Sequence, residues 1–276
     1  MTMHPCAICR LDKQTALESA ELGLYRCGSC GHVFKSASGK SNEKYGEEYF
    51  TKEHKNWFAN LDYPLFEFIR AEIVRLKGDK GIKVLDIGCG KGDLLKYLKA
   101  RDSRLELYGI DLSANRHPDI NFVQGDILKL DLGVKFDVVC SIASIEHVDS
   151  PLEFACRIKD LLLPGGIAFI VTDNDDGMIY AAARLLRKVG IRAPYDRLYM
   201  AHHLQCFSRK SLRMLVENCG LRVISHKDHN HPVAAVDYPD ADIILKAIYA
   251  AAVRIIFGLS GLFRTGILQV VVCRKD

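Results

Sequence analysis

The sequence predicts an α/β protein: an open, mostly parallel sheet covered by helices on both faces, preceded by a small cysteine-rich module. Three observations carry that prediction. Short apolar, β-branched runs recur from residue 82 onward, helix-length segments separate most of them, and two Cys-x-x-Cys pairs stand apart near the start. The 276 residues suffice for one full domain and an appendage, and the 49% hydrophobic and 26% charged content excludes a disordered, fibrous or multi-span membrane protein. Lys and Arg number 38 against 34 Asp and Glu, and a net charge of +4 is too small to mark a nucleic-acid binder.

In chain order, the first module comprises residues 1–38. Its start has no basic segment followed by an apolar run, so no secretory signal is read and the thiols are expected to stay reduced in the cytoplasm. Cys6-x-x-Cys9 and Cys27-x-x-Cys30 lie 17 residues apart, a spacing suited to a closed, four-thiolate structural zinc site, with Gly28 and Gly31 permitting the turns. Cys89, Cys140, Cys156, Cys219 and Cys273 sit in apolar runs and read as small core residues. Residues 39–78 form an aromatic linker and a helix. Tyr49 and Phe50 are expected either to cover an active site or to pack the ribbon on the core. From Pro64, the spacing of Leu65, Ile69, Ile73 and Leu76 up to Gly78 predicts an amphipathic helix.

Residues 79–276 carry the sheet. IKVLDIG (82–88), LELYGID (105–111), INFVQGD (120–126), FDVVCSI (136–142) and GIAFIVT (166–172) are the parallel strands, with helices over 93–101 and 151–163. LRVISH (221–226) and ILQVVVC (267–273) add two more. Two segments interrupt this pattern as insertions, a basic amphipathic one at 174–206 and an apolar one at 232–264.

The first strand runs into Asp86-Ile87-Gly88-Cys89-Gly90-Lys91-Gly92-Asp93. Glycines at this turn let the chain bend sharply and let a ligand approach the helix start closely. The loop alone suits either a dinucleotide or S-adenosylmethionine. The dinucleotide fingerprint needs a glycine at position 93, where Asp stands, and has no use for Asp86. Asp111 ends the second strand and can accept ribose hydroxyls; Asp126 ends the third and can accept an adenine amine; Glu146 and His147 follow the fourth.

DIGCGKG, GIDLS, QGDI, FDVVCSIASIEHV and LLLPGGIAFI, in this order over residues 80–172, resemble class I S-adenosylmethionine-dependent methyltransferases. The resemblance implies a Rossmann-like, seven-stranded sheet with its last strand antiparallel. It also implies donor contacts by Asp86, Gly88, Gly90, Asp111, Leu112, Asp126 and Ile127; Cys89 and Ser141 complete the expected set. The ribbon followed by KYGEEYF is similar to methyltransferases of polysaccharide and secondary-metabolite synthesis. An Asn/Asp-Pro-Pro-aromatic motif, carried by relatives that methylate base amino groups, is missing after the fourth strand.

For an acceptor hydroxyl, a base adds to the alignment that in-line methyl transfer requires. His147 with Glu146, or His203 beside His202, are the candidates for that role. His226, His229 and His231 are expected on an exposed loop. Residues 243–263 are long enough to span a bilayer, but Arg254 at the centre costs ~2.5–3.5 kcal/mol and the chain must return to the sheet. A lid over an apolar acceptor, or an interfacial helix pair with the basic 179–192 segment at the inner face of a membrane, is expected instead. The reading is a methyltransferase acting on a small molecule, a hydroxyl of a sugar, glycan or lipid-linked intermediate. The alternatives are an RNA methyltransferase guided by the ribbon and a non-catalytic donor-binding scaffold. Residues 1–60 hold eight Lys or Arg against seven acids, too balanced for a dedicated RNA grip.

Overall fold

A computed structural model of the chain describes residues 6–9, 15–35, 55–78, 81–114, 120–200, 202–237 and 243–276. The expected lid residues Tyr49 and Phe50 lie outside them. The N-terminal module has β1 (Thr15–Ser19), β2 (Leu24–Cys27) and β3 (Val33–Lys35); α1 (Lys55–Ala59) and α2 (Tyr63–Lys77) lead into the main sheet. There β4 (Lys83–Ile87), α3 (Asp93–Lys99), β5 (Glu106–Asp111), β6 (Asn121–Gln124), β7 (Phe136–Ile142), α4 (Pro151–Leu161) and β8 (Leu162–Asp173) follow in turn. The second half adds α5 (Met178–Lys188), α6 (Ala193–Leu198), β9 (Gln205–Cys206), α7 (Arg209–Asn218), β10 (Arg222–His229), α8 (Ile243–Phe263) and β11 (Leu268–Arg274).

Seven strands form the main sheet in the order β10-β11-β8-β7-β4-β5-β6. β11 runs antiparallel to both β8 and β10, while β4, β5, β6, β7 and β8 pair in parallel. The central strands are apolar on both faces because each face meets helices. Leu85, Val139, Ala168, Ile170 and Val271 point to a core with Phe154, Ile158 and Leu215 of α4 and α7. The alternate residues Val84, Val138, Ile167, Phe169 and Val270 point to a core with Ile69, Leu95 and Leu98 of α2 and α3. α2 starts as expected: Asp62 Oδ1 accepts from the Leu65 N–H at 3.1 Å, and Gly78, at φ 76°, ends the helix.

One expectation needs correction. His226 and His229 lie on β10, not on a loop, and His231 just beyond it is buried. His226 Nε2 meets Gln269 Oε1 at 2.9 Å, and His229 Nε2 meets the α2 cap Asp62 Oδ2 at 2.6 Å. β10 is an edge strand, and its half-buried polar residues resemble a loop in sequence. Cys156 and Cys219 pack in the core as expected, their sulfurs facing each other at 2.6 Å between α4 and α7.

The cysteine module is sewn into the domain. Its sheet has the order β1-β2-β3-β9, and β9 comes from the second half of the chain. Arg26 reaches buried Asp175 at 2.6 Å, Ser208 Oγ donates to the Cys30 carbonyl at 2.6 Å, and Asn218 Nδ2 donates to the Ile8 carbonyl at 3.0 Å.

Candidate functional site

The carboxyl ends of β4, β5, β7 and β8 open into a cavity of about 450 Å³. That is where ligands bind in doubly wound sheets. The glycine loop forms one wall. Gly88, Gly90 and Gly92 adopt φ of 71°, 52° and 73°, conformations that side-chain-bearing residues avoid. At Gly88 a Cβ would also stand 2.2 Å from Ser144 Oγ, so glycine is required twice over. The Gly90 N–H donates to Asp111 Oδ2 at 2.8 Å, and Ser113 N–H donates to Asp111 Oδ1 at 2.8 Å. Asp111 therefore fixes both the loop and its own strand end. Asp126 Oδ1 accepts from the Leu128 N–H at 3.0 Å, closing the turn after β6.

Asp86 is buried at the end of β4, and its Oδ1 has no hydrogen-bond partner among the described residues. Burial, with Asp111 and Asp93 adding like charge, pushes its carboxyl well above the usual carboxylate range. An orphaned buried acceptor facing a cavity calls for a donor from a ligand. Gly88, Cys89, Gly90, Asp111, Leu112, Asp126 and Ile127 line the same cavity. Ser141 does not: it is fully buried within β7, and the chain bends into the cavity only at Ile142, Ala143 and Ser144.

Glu146, His147 and His203 form a second wall of the cavity. Their ligating atoms lie within 4.8 Å of one another, a grouping able to share a proton or hold a cation. Glu146 and His147 sit on a short 3-10 turn, Ile145–His147, and the Glu146 carbonyl accepts from the Leu204 N–H at 2.8 Å. His147 Nδ1 lies 3.1 Å from the His202 carbonyl, so Nδ1 is the protonated nitrogen and Nε2 the basic one. Burial first, then His203 and His202, hold the His147 pKa well below the ordinary imidazole value. His203 Nδ1 lies 2.8 Å from Asp173 Oδ2. Burial alone would lower the His203 pKa, but Asp173 and then Glu146 outweigh it and hold it above the ordinary value. Thr172 Oγ1 donates to Glu146 Oε2 at 2.8 Å; burial, then the charge of Asp173, raises that carboxyl to about 7.

Sequence reasoning missed Asp173, which ends β8 as Asp111 ends β5. The signal was present, because the strand runs one residue beyond Thr172, into what reads as the polar start of an insertion. It also missed Tyr180, Trp57 and His231, which line the cavity from three remote segments; Trp57 and His231 meet edge to face at 5.4 Å.

Cys6, Cys9, Cys27 and Cys30 bring their sulfurs within 4.8 Å of one another, with Cys6–Cys30 at 3.6 Å and Cys9–Cys27 at 3.4 Å. These separations are near the ~3.8 Å edge of a tetrahedron built on ~2.3 Å metal–thiolate bonds. Gly31, at φ 74°, makes the turn that lets its N–H donate to the Cys27 carbonyl at 2.9 Å; Gly28 is not needed in that conformation. The Cys30 thiol beside it lowers the Cys6 pKa to about 4, favouring a thiolate.

An open sheet of this order, with a glycine turn after its first parallel strand, Asp111 ending the second and Asp126 in the turn after the third, defines a Rossmann-like domain. The family profile described as "Methyltransferase domain" matches residues 61–226, more than half of the chain, and the chain belongs to that family. The ubiquinone biosynthesis O-methyltransferase of Ruegeria pomeroyi is 34% identical over 125 residues, covering 41% of this chain and 49% of that one. The mitochondrial ubiquinone biosynthesis O-methyltransferase of Dictyostelium discoideum is 29% identical over 128 residues, covering 38% and 40%. The chain thus spans less than half the length of these relatives. An S-adenosylmethionine-dependent methyltransferase structure from Archaeoglobus fulgidus superimposes with a TM-score of 0.55 at 18% identity, covering 82% of this chain and 99% of that one.

Proposed function

We propose that the chain transfers a methyl group from S-adenosylmethionine to a hydroxyl of an apolar small molecule, with a zinc ion fixing its ribbon. One observation carries the reading: the Asp173–His203 couple lines the same cavity as the glycine loop and the orphaned Asp86 carboxylate. Relatives named ubiquinone biosynthesis O-methyltransferases support oxygen as the acceptor atom. The aromatic and aliphatic lining by Trp57, Phe58, Leu61, Phe66, Tyr180 and Val253 favours a lipid-linked or otherwise apolar acceptor over a bare sugar.

The bound donor would supply a methyl on a sulfonium, an electrophile with a neutral thioether as leaving group. In this reading Asp111 accepts from the ribose hydroxyls, Asp126 and Ile127 hold the base edge, and Asp86 accepts from the amino-acid end. Gly88 and Gly90 keep the loop close to the ligand. The histidine wall handles the acceptor. His203 takes the hydroxyl proton as oxygen attacks, and Asp173 orients the imidazole and stabilises the imidazolium that results. His147, uncharged, shapes the wall beside it.

The cations of the ribbon's described residues argue against RNA guidance. Arg26 is held by Glu18 and Asp175, Lys35 donates to the Met200 carbonyl, and Lys210 on the facing helix donates to the Ser29 carbonyl. These groups fasten the module to the domain and leave no cationic stripe among them to meet phosphates. Calorimetry with S-adenosylmethionine and with NAD, followed by product assays on hydroxylated aromatic and isoprenoid acceptors, tests the proposal. Donor binding with methylated product is expected; NAD binding without S-adenosylmethionine binding overturns it.

A further inference from the structure

The outer surface of α5 and α8 is unlike the rest of the molecule. α8 is long and apolar enough to cross a bilayer, yet it lies against the domain through the narrow stripe of Val253, Phe257 and Ser260. Its C-terminal half is tied to that domain. Asn230 Nδ2 donates to the Phe257 carbonyl at 3.1 Å and to Ser260 Oγ at 2.8 Å, and Thr265 N–H donates to the Ser260 carbonyl at 2.9 Å as the chain turns into β11. A helix tied down at its own C-terminal turn, with the following strand in the sheet, cannot thread a bilayer.

Opposite that stripe, Ile248, Ile255, Leu259 and Leu262 recur at helical repeats on one exposed face, with Leu262 75% and Phe263 62% exposed. α5 packs beside α8 and adds Leu185 and Val189, 65% and 70% exposed. Neither helix contains an acidic residue, while Lys188, Arg254 and Arg264 are exposed around this apolar surface. Within the two helices and the residue that follows α8 every charge is cationic, a pattern that suits acyl chains beneath anionic headgroups. A soluble protein surface would be expected to interleave acids and bases.

We infer that the α5–α8 face docks in the plane of an anionic lipid surface, as an interfacial anchor that does not span it. Ile179 and Tyr180 of α5 and Tyr249 and Val253 of α8 line the cavity from behind this face. Resting on the proposed methyl transfer, the docking lets an acceptor whose tail stays in lipid reach His203 without passing through water.

Vesicle flotation of the full chain tests the docking with neither donor nor acceptor present, so its failure is distinct from failure of the methyl-transfer reading. Flotation with phosphatidylcholine vesicles containing phosphatidylglycerol, weaker with phosphatidylcholine alone and reduced by added salt, is expected. The pair Leu262→Glu and Phe263→Glu, both at exposed positions, should cut the bound fraction roughly tenfold or more with an unchanged melting temperature. The pair Lys188→Glu and Arg254→Glu should remove the preference for anionic vesicles. Equal flotation with both vesicle types overturns the anionic-lipid assignment. Flotation untouched by the Leu262/Phe263 pair overturns the surface, as does a solution dimer that this pair dissolves while no vesicle is bound.

Discussion

The glycine-loop wall and the histidine wall face the same cavity, but they are built by opposite means. The Gly90 and Ser113 N–H groups donate to the Asp111 carboxylate and the Gly88 N–H to the Ile110 carbonyl, all within one β4–α3–β5 unit and the two residues after it. His203 is held by Asp173 from the end of β8, and its neighbour His202 by His147 from the turn after β7. β9 just beyond is paired to β3 of the cysteine ribbon, and Gln205 Nε2 donates to the Val148 carbonyl at 3.1 Å. One wall is local in sequence; the other is an assembly of four distant segments. A local wall tolerates change elsewhere in the molecule, whereas an assembled wall depends on every part that braces it.

That contrast predicts separable failures. His203→Ala should lower kcat by ~10²–10⁴-fold, the usual contribution of a positioned base, while donor affinity by calorimetry stays within a factor of two or so. Loss of donor affinity instead would break the division between the walls. The next largest effect should come from the metal centre. Chelation would remove the thiolate ties that the proposed zinc supplies, worth ~10–16 kcal/mol in small isolated fingers. Because β3 carries β9, and β9 adjoins His203, the chelated protein should melt earlier and lose ~10²-fold in kcat through misplacement of the base. Donor affinity should survive. Metal analysis of the untreated protein giving no zinc would remove this link.

The same contrast explains what the sequence could reveal. The DIGCGKG turn, Asp111 and Asp126 are legible because fixed spacing along one unit dictates their positions. So are the four cysteines, where spacing alone selects a tetrahedral set, and the antiparallel seventh strand follows from the family resemblance. Asp173 was within reach of the same strand-end rule, but the polar run Asp173-Asn174-Asp175-Asp176 disguises where β8 stops. Trp57, Tyr180 and His231 carry no local signal, since only tertiary packing brings α1, α5 and the end of β10 together. The β10 histidines misled for a physical reason: edge strands keep polar side chains.

A smaller effect should appear on the local wall. Gly88→Ala forces a side chain into positive φ against Ser144, strain of ~1–3 kcal/mol, and should weaken the donor ~10–100-fold. The kcat with saturating donor should move far less than in His203→Ala. A protein in which Gly88→Ala left donor affinity intact would show that the ligand does not approach this turn.

The subtlest test separates the two histidines by pH. A base works only when deprotonated, so kcat/KM must rise with pH through the pKa of whichever imidazole accepts the proton. Asp173 and Glu146 hold His203 above the ordinary value of 6.5, against the opposing effects of burial and Lys35. Burial, His203 and His202 hold His147 well below the same value. The rising limb is therefore expected above 6.5 if His203 is the base and far below it if His147 is. Asp173→Asn removes the larger of the charges that raise His203, leaves burial and Lys35 opposed only by Glu146, and should move the limb to lower pH while reducing kcat. A limb that does not move with Asp173→Asn would transfer the proton-accepting role away from His203, and with it the dependence of chemistry on the assembled wall.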